Sequence, residues 1–331
     1  MTNSKLHKIS VVTPVYQGES TLPGLAEEMA ALTTEQVTPD GHRWVVAEWL
    51  LVHDHGPDRS PDVLGGLDEK FDFVRPIWLS RNFGQHPATL AGMASSTGDW
   101  IATIDEDGQH NPAELGTFLD VAMREQAQLV YANPLNPPPH GRFRNATSKC
   151  AKWLVSKALS DGAPATFQSY RLMVGEAGRS VAAYVGTGVY LDVALSWVMD
   201  RVAQAPVTLR AEGGRESGYS FRRLLAHFWR LVLTSGTRGL RLVSGLGIAF
   251  SLSGFLYAAF IIVQSIVTQS APPGWPSTFV IILITSGAIL FSLGVIAEYI
   301  GVLVGMAMGK PPYLIVTDPK DGPWQQRPQP R

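Results

Sequence analysis

Two carboxylates, Asp105 and Asp107, stand one residue apart directly after the apolar run Trp100-Ile101-Ala102-Thr103-Ile104. Oxygen-only side chains at that spacing suit a hard divalent cation that also grips phosphate oxygens. An Asp-x-Asp alone is equally the pattern of a solvated loop, so its meaning depends on where the chain puts it. Two further polar loops share its setting. Thr13-Pro14-Val15-Tyr16-Gln17-Gly18-Glu19 follows the run Ile9–Val12 and offers a proline and an aromatic ring that could sandwich a nucleobase, or simply end a strand. His53-Asp54-His55-Gly56-Pro57-Asp58 follows Val45–Val52, and Asp54 could accept from a base N–H or a ribose hydroxyl. His53 and His55 beside Asp54 raise zinc, but no further ligands cluster nearby.

The elements that must position these loops are legible as short apolar runs. Beyond the three already named, Val74–Leu79 and Leu129–Tyr131 have the same character, and each run stops at a polar or Pro/Gly-containing loop. Helix-compatible stretches lie between several of them; Pro23 to Leu32 repeats apolar residues at helical spacing. Alternating strands and helices predict a mostly parallel sheet with helices on both faces. Its carboxyl edge would then carry all three polar loops, the edge where open α/β sheets bind ligands. Asn133 to Gly141 reads as an irregular loop, and Arg179 to Arg210 as a helix and strand region without a definite place.

Composition splits the chain of 331 residues. Net charge is −1, which gives no electrostatic argument for nucleic acid. The single cysteine, Cys150, excludes a disulfide framework and a multi-thiolate zinc site. The amino terminus runs into a strand without an apolar signal core, so membrane attachment is expected from the other end. Residues 219–241 interleave Arg222, Arg223, Arg230, Arg238 and Arg241 with Leu224, Phe228, Trp229 and Leu231, a basic amphipathic helix suited to a bilayer interface. Leu242 to Ala297 then contains no Asp, Glu, Lys or Arg, room for two spans of about 20 residues each. Ala271-Pro272-Pro273-Gly274-Trp275-Pro276 supplies the turn. Helices are expected at about 243–267 and 279–306, with both chain ends cytoplasmic because arginines and lysines flank the pair and the turn is uncharged.

The order Thr13-Pro14-Val15-Tyr16, Val52-x-Asp54, Ser80-Arg81-Asn82-Phe83-Gly84 and Asp105-x-Asp107-x-Gln109-x-x-Pro112 resembles the inverting family 2 glycosyltransferases. Tyr170-Arg171-Leu172, Ser217-x-Tyr219-Ser220, Glu298-Tyr299-Ile300-Gly301 and Lys310-Pro311-Pro312-Tyr313 bring it nearest the dolichyl-phosphate mannose synthase-like, polyprenyl-phosphate glycosyltransferases. The resemblance covers nearly the whole chain and implies an α/β GT-A nucleotide-sugar-binding sandwich over 1–218, the juxtamembrane helix over 219–241, a two-helix transmembrane hairpin over 242–308 and a cytoplasmic tail over 309–331. It implies transfer of a monosaccharide from a nucleotide-sugar donor to polyprenyl phosphate, undecaprenyl phosphate above all, at the inner membrane, and leaves room for a homo-oligomer.

By the same resemblance Pro14, Tyr16, Asp54 and Glu106 belong to the nucleotide-sugar pocket. Asp105 and Asp107 would hold Mg²⁺ or Mn²⁺ on the donor diphosphate, with Gln109 beside them as part of the catalytic set. Arg215, helped by Arg222 or Arg223, is the candidate for the acceptor phosphate or the donor diphosphate, a contact that suits a guanidinium fork. An anionic acceptor phosphate needs little help from a general base. Departures from the family pattern leave sugar and base open: Gln17-Gly18 replaces Asn-Glu, His53 replaces an aspartate, His55-Gly56 replaces Gly-Ser, Ser169 replaces an acidic residue, Gly218 replaces a lysine, and no arginine follows Tyr131. A family 2 transferase acting on a lipid or saccharide hydroxyl would need a positioned carboxylate base. A catalytically inactive membrane scaffold would show no turnover of donor with Mn²⁺.

Overall fold

The computed structural model describes residues 5–136, 167–210 and 274–321, with a discontinuous set of positions between 247 and 267. It divides into two units, Met1–Tyr219 with Pro311–Arg331, and Ser220–Lys310.

In the first unit the chain runs β1 (Leu6–Val15), α1 (Leu22–Ala30), β2 (Gln36–Val37), β3 (Arg43–His53), α2 (Ser60–Lys70), β4 (Val74–Leu79), α3 (Gln85–Ser95) and β5 (Trp100–Thr103). A 3₁₀ turn at Pro112–Glu114 leads into α4 (Leu115–Glu125), β6 (Leu129–Pro134), β7 (Arg171–Val174), α5 (Gly175–Tyr184), α6 (Leu191–Val198) and β8 (Val202–Val207). The described strands form one sheet in the order β8-β6-β7-β5-β1-β3-β4-β9, where β9 is Ile315–Val316, and β2 pairs off the path with β3. β1 is parallel to both β3 and β5, and β3 to β4, while β7 inserts antiparallel between β5 and β6. The expected strands are therefore present, and the segment the sequence left unplaced resolves into α5, α6 and β8.

Burial on both faces explains why the central strands are almost wholly apolar. Side chains alternate across β1 and β3: Val11, Trp49 and Leu51 join the core shared with α1, α2 and α4, whereas Val12, Leu50 and Val52 join that shared with α3, α5 and α6. Because β1, β3, β4 and β5 are parallel, their carboxyl ends open onto one edge. Val15 lies opposite His53 there, and Val12 opposite Thr103.

Within the tail expected beyond 308, Ile315–Val316 joins this sheet as β9. β9 pairs antiparallel with the end of β4, and the Ser80 amide donates to the Leu314 carbonyl at 2.9 Å. Tyr313 packs against the α3 core cluster, and burial raises its phenol pKa.

The second unit contains α7 (Trp275–Ala307), 33 residues long. Its window Ile284–Gly301 has mean hydropathy 1.5 and is 6% buried, so its apolar side chains face outward instead of filling a core. Leu290 and Phe291 are 69% and 55% exposed. Among the described residues this is the one helix long and apolar enough to cross a membrane. It begins four residues before the expected 279, because Pro276 falls in the first turn, where a missing N–H breaks no helical bond. The described positions between 247 and 267 are helical, but most of the expected first span, the juxtamembrane helix and the start of the turn lie outside the described residues, so a two-helix hairpin does not emerge from them.

Candidate active site

Three loops meet at the carboxyl edge, and their backbones are tied to one another by carboxylates. Asp54, directly after β3, is 3% exposed. Its oxygens accept from the amides of Phe83 at 2.7 Å and Gly84 at 2.8 Å, so it holds the loop between β4 and α3. Gly84 has φ +96°, a backbone state that admits glycine with little strain, and it turns its N–H toward Asp54 as α3 begins. Burial raises the Asp54 pKa more than the two amides and the His55 and Arg81 charges lower it. The shifted glycine of this loop has a local cause: a Cβ on Gly56 would lie 1.3 Å from the Tyr16 carbonyl oxygen. His55 takes the left-handed turn instead, at φ 50°.

Glu106 plays a similar part on the other side. Its carboxylate accepts from the amides of Tyr16 at 2.9 Å and Gln17 at 3.0 Å, drawing the β1 loop toward the β5 loop. In this structure Glu106 therefore organises backbone, while Tyr16, 43% exposed, stands at the edge as an available ring. The Gly18 amide donates to Ser60 Oγ at 2.9 Å and that of Glu19 to Asp58 at 3.0 Å, which locks the first two loops together.

Asp105 differs in being held by side chains. Gln85 Nε2 donates to its Oδ1 at 2.7 Å, and the Ser169 hydroxyl donates to its Oδ2. Its own amide donates to Nδ1 of His110 at 3.1 Å, which puts the histidine proton on Nε2. His110 in turn stacks on Tyr170, ring centroids 4.8 Å apart. Asp107 accepts from the Gln109 amide at 3.0 Å across Gly108, and the Gln109 carbonyl accepts from the Arg210 amide at 2.9 Å. A small cleft opens beside Asp105, lined among others by Pro14, Gln85, Thr89 and Ser169. Behind it Arg171, Thr103 and Ser169 form a chain: Arg171 Nε donates to Thr103 Oγ1 at 3.0 Å, and that hydroxyl donates to the Ser169 carbonyl.

Neutral hydrogen-bond donors on Asp105 can be exchanged for a cation without stranding a buried charge. No group of three metal-ligating side chains exists among the described residues. Two carboxylates at a partly exposed edge fit an ion that takes most of its oxygens from phosphate and water.

Residues 10–173 match the family model of glycosyl transferase family 2. This protein is a glycosyltransferase carrying a family 2 domain. The transferase is 27% identical, over 95% of both chains, to an undecaprenyl-phosphate 4-deoxy-4-formamido-L-arabinose transferase of Photorhabdus laumondii. It is 28% identical to a bactoprenol glucosyl transferase of Shigella phage SfX, across 93% of this chain and 98% of that one. A mycobacterial protein of known crystal structure shares the fold, at TM-score 0.50 and 18% identity, covering 70% of this chain and 74% of its own. The GT-A α/β sandwich expected of the transferase is the fold observed.

The edge thus brings together Pro14, Tyr16, Asp54, Asp105, Glu106, Asp107 and Gln109 of the transferase. Arg215, Arg222 and Arg223 lie outside the described residues. Sequence reasoning missed Gln85 and Asp192, which also lines the cleft beside Asp105, and it noted Ser169 only as a departure from the family pattern. The place of Gln85, one residue after the Ser80–Gly84 motif, was the available signal.

Proposed function

We propose that this glycosyltransferase moves a monosaccharide from a nucleotide-sugar donor to polyprenyl phosphate, with inversion at the anomeric carbon. The observation that carries this is the similarity over almost the whole chain to transferases named for undecaprenyl phosphate and for bactoprenol, which spans the catalytic edge and the apolar helix alike. Pro14 and Tyr16 flank the base, and Asp105 and Asp107 face the donor diphosphate. A divalent ion, Mg²⁺ or Mn²⁺, held there would neutralise charge on the departing nucleoside diphosphate. Asp54 and Glu106 keep the loops in register, so the donor meets a preformed edge. The acceptor phosphate is already anionic and attacks without surrendering a proton. Arg215, with Arg222 or Arg223, is assigned to that phosphate.

The reaction is assigned to the inner face of the cytoplasmic membrane, where a prenyl acceptor concentrates. An even number of crossings is favoured by the return of the chain after α7 to the sheet of residues 5–210, since β9 pairs with β4. With α7 as one span, a second falls at about 243–267. The test is transfer by the full chain in detergent, with undecaprenyl phosphate and a panel of nucleotide sugars, with and without Mn²⁺. Metal-dependent formation of a prenyl-phosphate-linked sugar is expected; transfer to a saccharide hydroxyl, or no turnover of any donor, overturns the proposal.

A further inference from the structure

A second carboxylate borders the cleft beside Asp105. Asp192, on α6, lines it together with Gln85, Thr89, Gln168 and Ser169, and is 7% exposed. Tyr131 donates its hydroxyl to Asp192 Oδ1 at 2.9 Å, and the Arg171 guanidinium bonds the same oxygen. Both bonds fall on Oδ1, so neither occupies Oδ2. The pair is deeply placed, with Arg171 3% exposed, and taking two charges out of water is costly. What it yields is a carboxylate whose orientation two donors fix before any ligand arrives.

The charges of the cleft restrict what could meet that oxygen. Arg171 is the one arginine or lysine among the described lining residues, and Asp192 already neutralises it. Gln85, His86, Thr89, Gln168 and Ser169 offer further hydrogen-bonding groups. A carboxylate on the incoming sugar would meet the like charge of Asp192, and among the described lining residues the one arginine, Arg171, is already paired with it. A hydroxyl would find a carboxylate whose second oxygen neither Tyr131 nor Arg171 occupies.

We infer that Asp192 is a specificity-determining residue for the donor, its Oδ2 accepting a hydrogen bond from a hydroxyl of the transferred sugar. The donor then carries a neutral, hydroxyl-bearing sugar and not a uronic acid. This rests on the nucleotide-sugar reading above. A site built to bond a hydroxyl discriminates strongly against a ligand that cannot supply one, because the buried acceptor is left unmatched.

The experiment is calorimetric titration of the full chain in detergent with Mn²⁺, using UDP and GDP, then UDP-glucose, GDP-mannose and UDP-glucuronate. The wild type is expected to bind one of the neutral nucleotide sugars at least about tenfold more tightly than UDP-glucuronate. Asp192→Asn presents an amide N–H in place of the acceptor. It should weaken the neutral nucleotide sugar by about tenfold, leave the matching nucleoside diphosphate within about twofold, and narrow the margin over UDP-glucuronate. Because Asp192→Asn also strips Arg171 of its counter-charge, Tyr131→Phe serves as the second variant. It removes one of the two donors without stranding a charge, and should raise KM for the nucleotide sugar by about two- to fivefold at unchanged kcat. Wild-type preference for UDP-glucuronate overturns the assignment. So does an equal loss of nucleoside diphosphate and nucleotide sugar in both variants. Failure of the wild type to bind either nucleoside diphosphate overturns the nucleotide-sugar reading itself, a separate result.

Discussion

Asp54 and Asp105 each follow a parallel strand of one sheet, at one edge, yet the fold uses them in opposite ways. Asp54 is buried and spends its oxygens on two backbone amides. Asp105 is partly exposed and rests on a glutamine amide and a serine hydroxyl. A carboxylate bonded to backbone can leave its partners only if the loop moves. One bonded to side chains gives them up by rotamer changes. The first arrangement builds a site and the second leaves a ligand position ready within it.

Breaking the exchangeable carboxylate should cost the most. Asp105→Asn or Asp107→Asn is expected to lower transfer at least about 100-fold, the scale of losing one preorganised charge-stabilising group. Thermal unfolding of Asp105→Asn should shift by under about 1 kcal/mol, since an amide can still meet Gln85 and Ser169. Near-normal turnover of either variant at saturating Mn²⁺ would remove these residues from the metal.

Asp54→Asn should reverse the pattern. Its amide group would face a backbone N–H, so a stability loss of about 2–3 kcal/mol is expected in thermal or urea unfolding. Transfer by the molecules that remain folded should fall less than in Asp105→Asn. A variant that unfolds like the wild type would contradict the loop-holding role.

The same loop is gripped from its other side by the tail. Ending the chain after Lys310 removes β9 and the Leu314 carbonyl that accepts from Ser80. About 1 kcal/mol per lost bond is expected, seen as a lower Tm together with a raised donor KM. An unchanged KM would make the tail a cover for the sheet edge and nothing more.

The smallest effect is a drift with pH. Because burial raises the folded-state pKa of Asp54, its contribution is fully present below the unfolded value and declines as pH rises through the folded one. The stability gap between wild type and Asp54→Asn should therefore widen on acidification. Glu48 runs the other way. Burial pushes its pKa up, but bonds from Ser10, Thr97 and Arg75 outweigh burial and hold it low. Its contribution is present above the unfolded value and lost as pH falls through the folded one, so the gap to Glu48→Gln should close. Unfolding of the three proteins between about pH 7 and pH 3 separates the two slopes.

Much of the fold was legible because its signals are local. Apolar runs of strand length ending in polar loops announced β1, β3, β4, β5 and β6, and the absence of charge from Leu242 to Ala297 announced an apolar unit. α7 bears this out within the described residues. The adjacency of Asp105 and Asp107 to a strand end marks the candidate site in the linear chain itself.

The linear chain could not say which carboxylates would be consumed by backbone. Asp54 meets Phe83 and Gly84 some thirty positions on, and Glu106 meets Tyr16 ninety positions back, because parallel strands bring their ends together only once the sheet has formed. Nor could it show that Asp192 and Arg171 would share a buried bond beside Asp105, or that Leu314 would return to Ser80. Residue type and spacing determined the kind of chemistry, since apolar periodicity and side-chain pKa are properties of short segments. Which oxygen is committed and which is left for a ligand was decided by long-range packing, where each buried polar group must find its partner among residues far away in sequence.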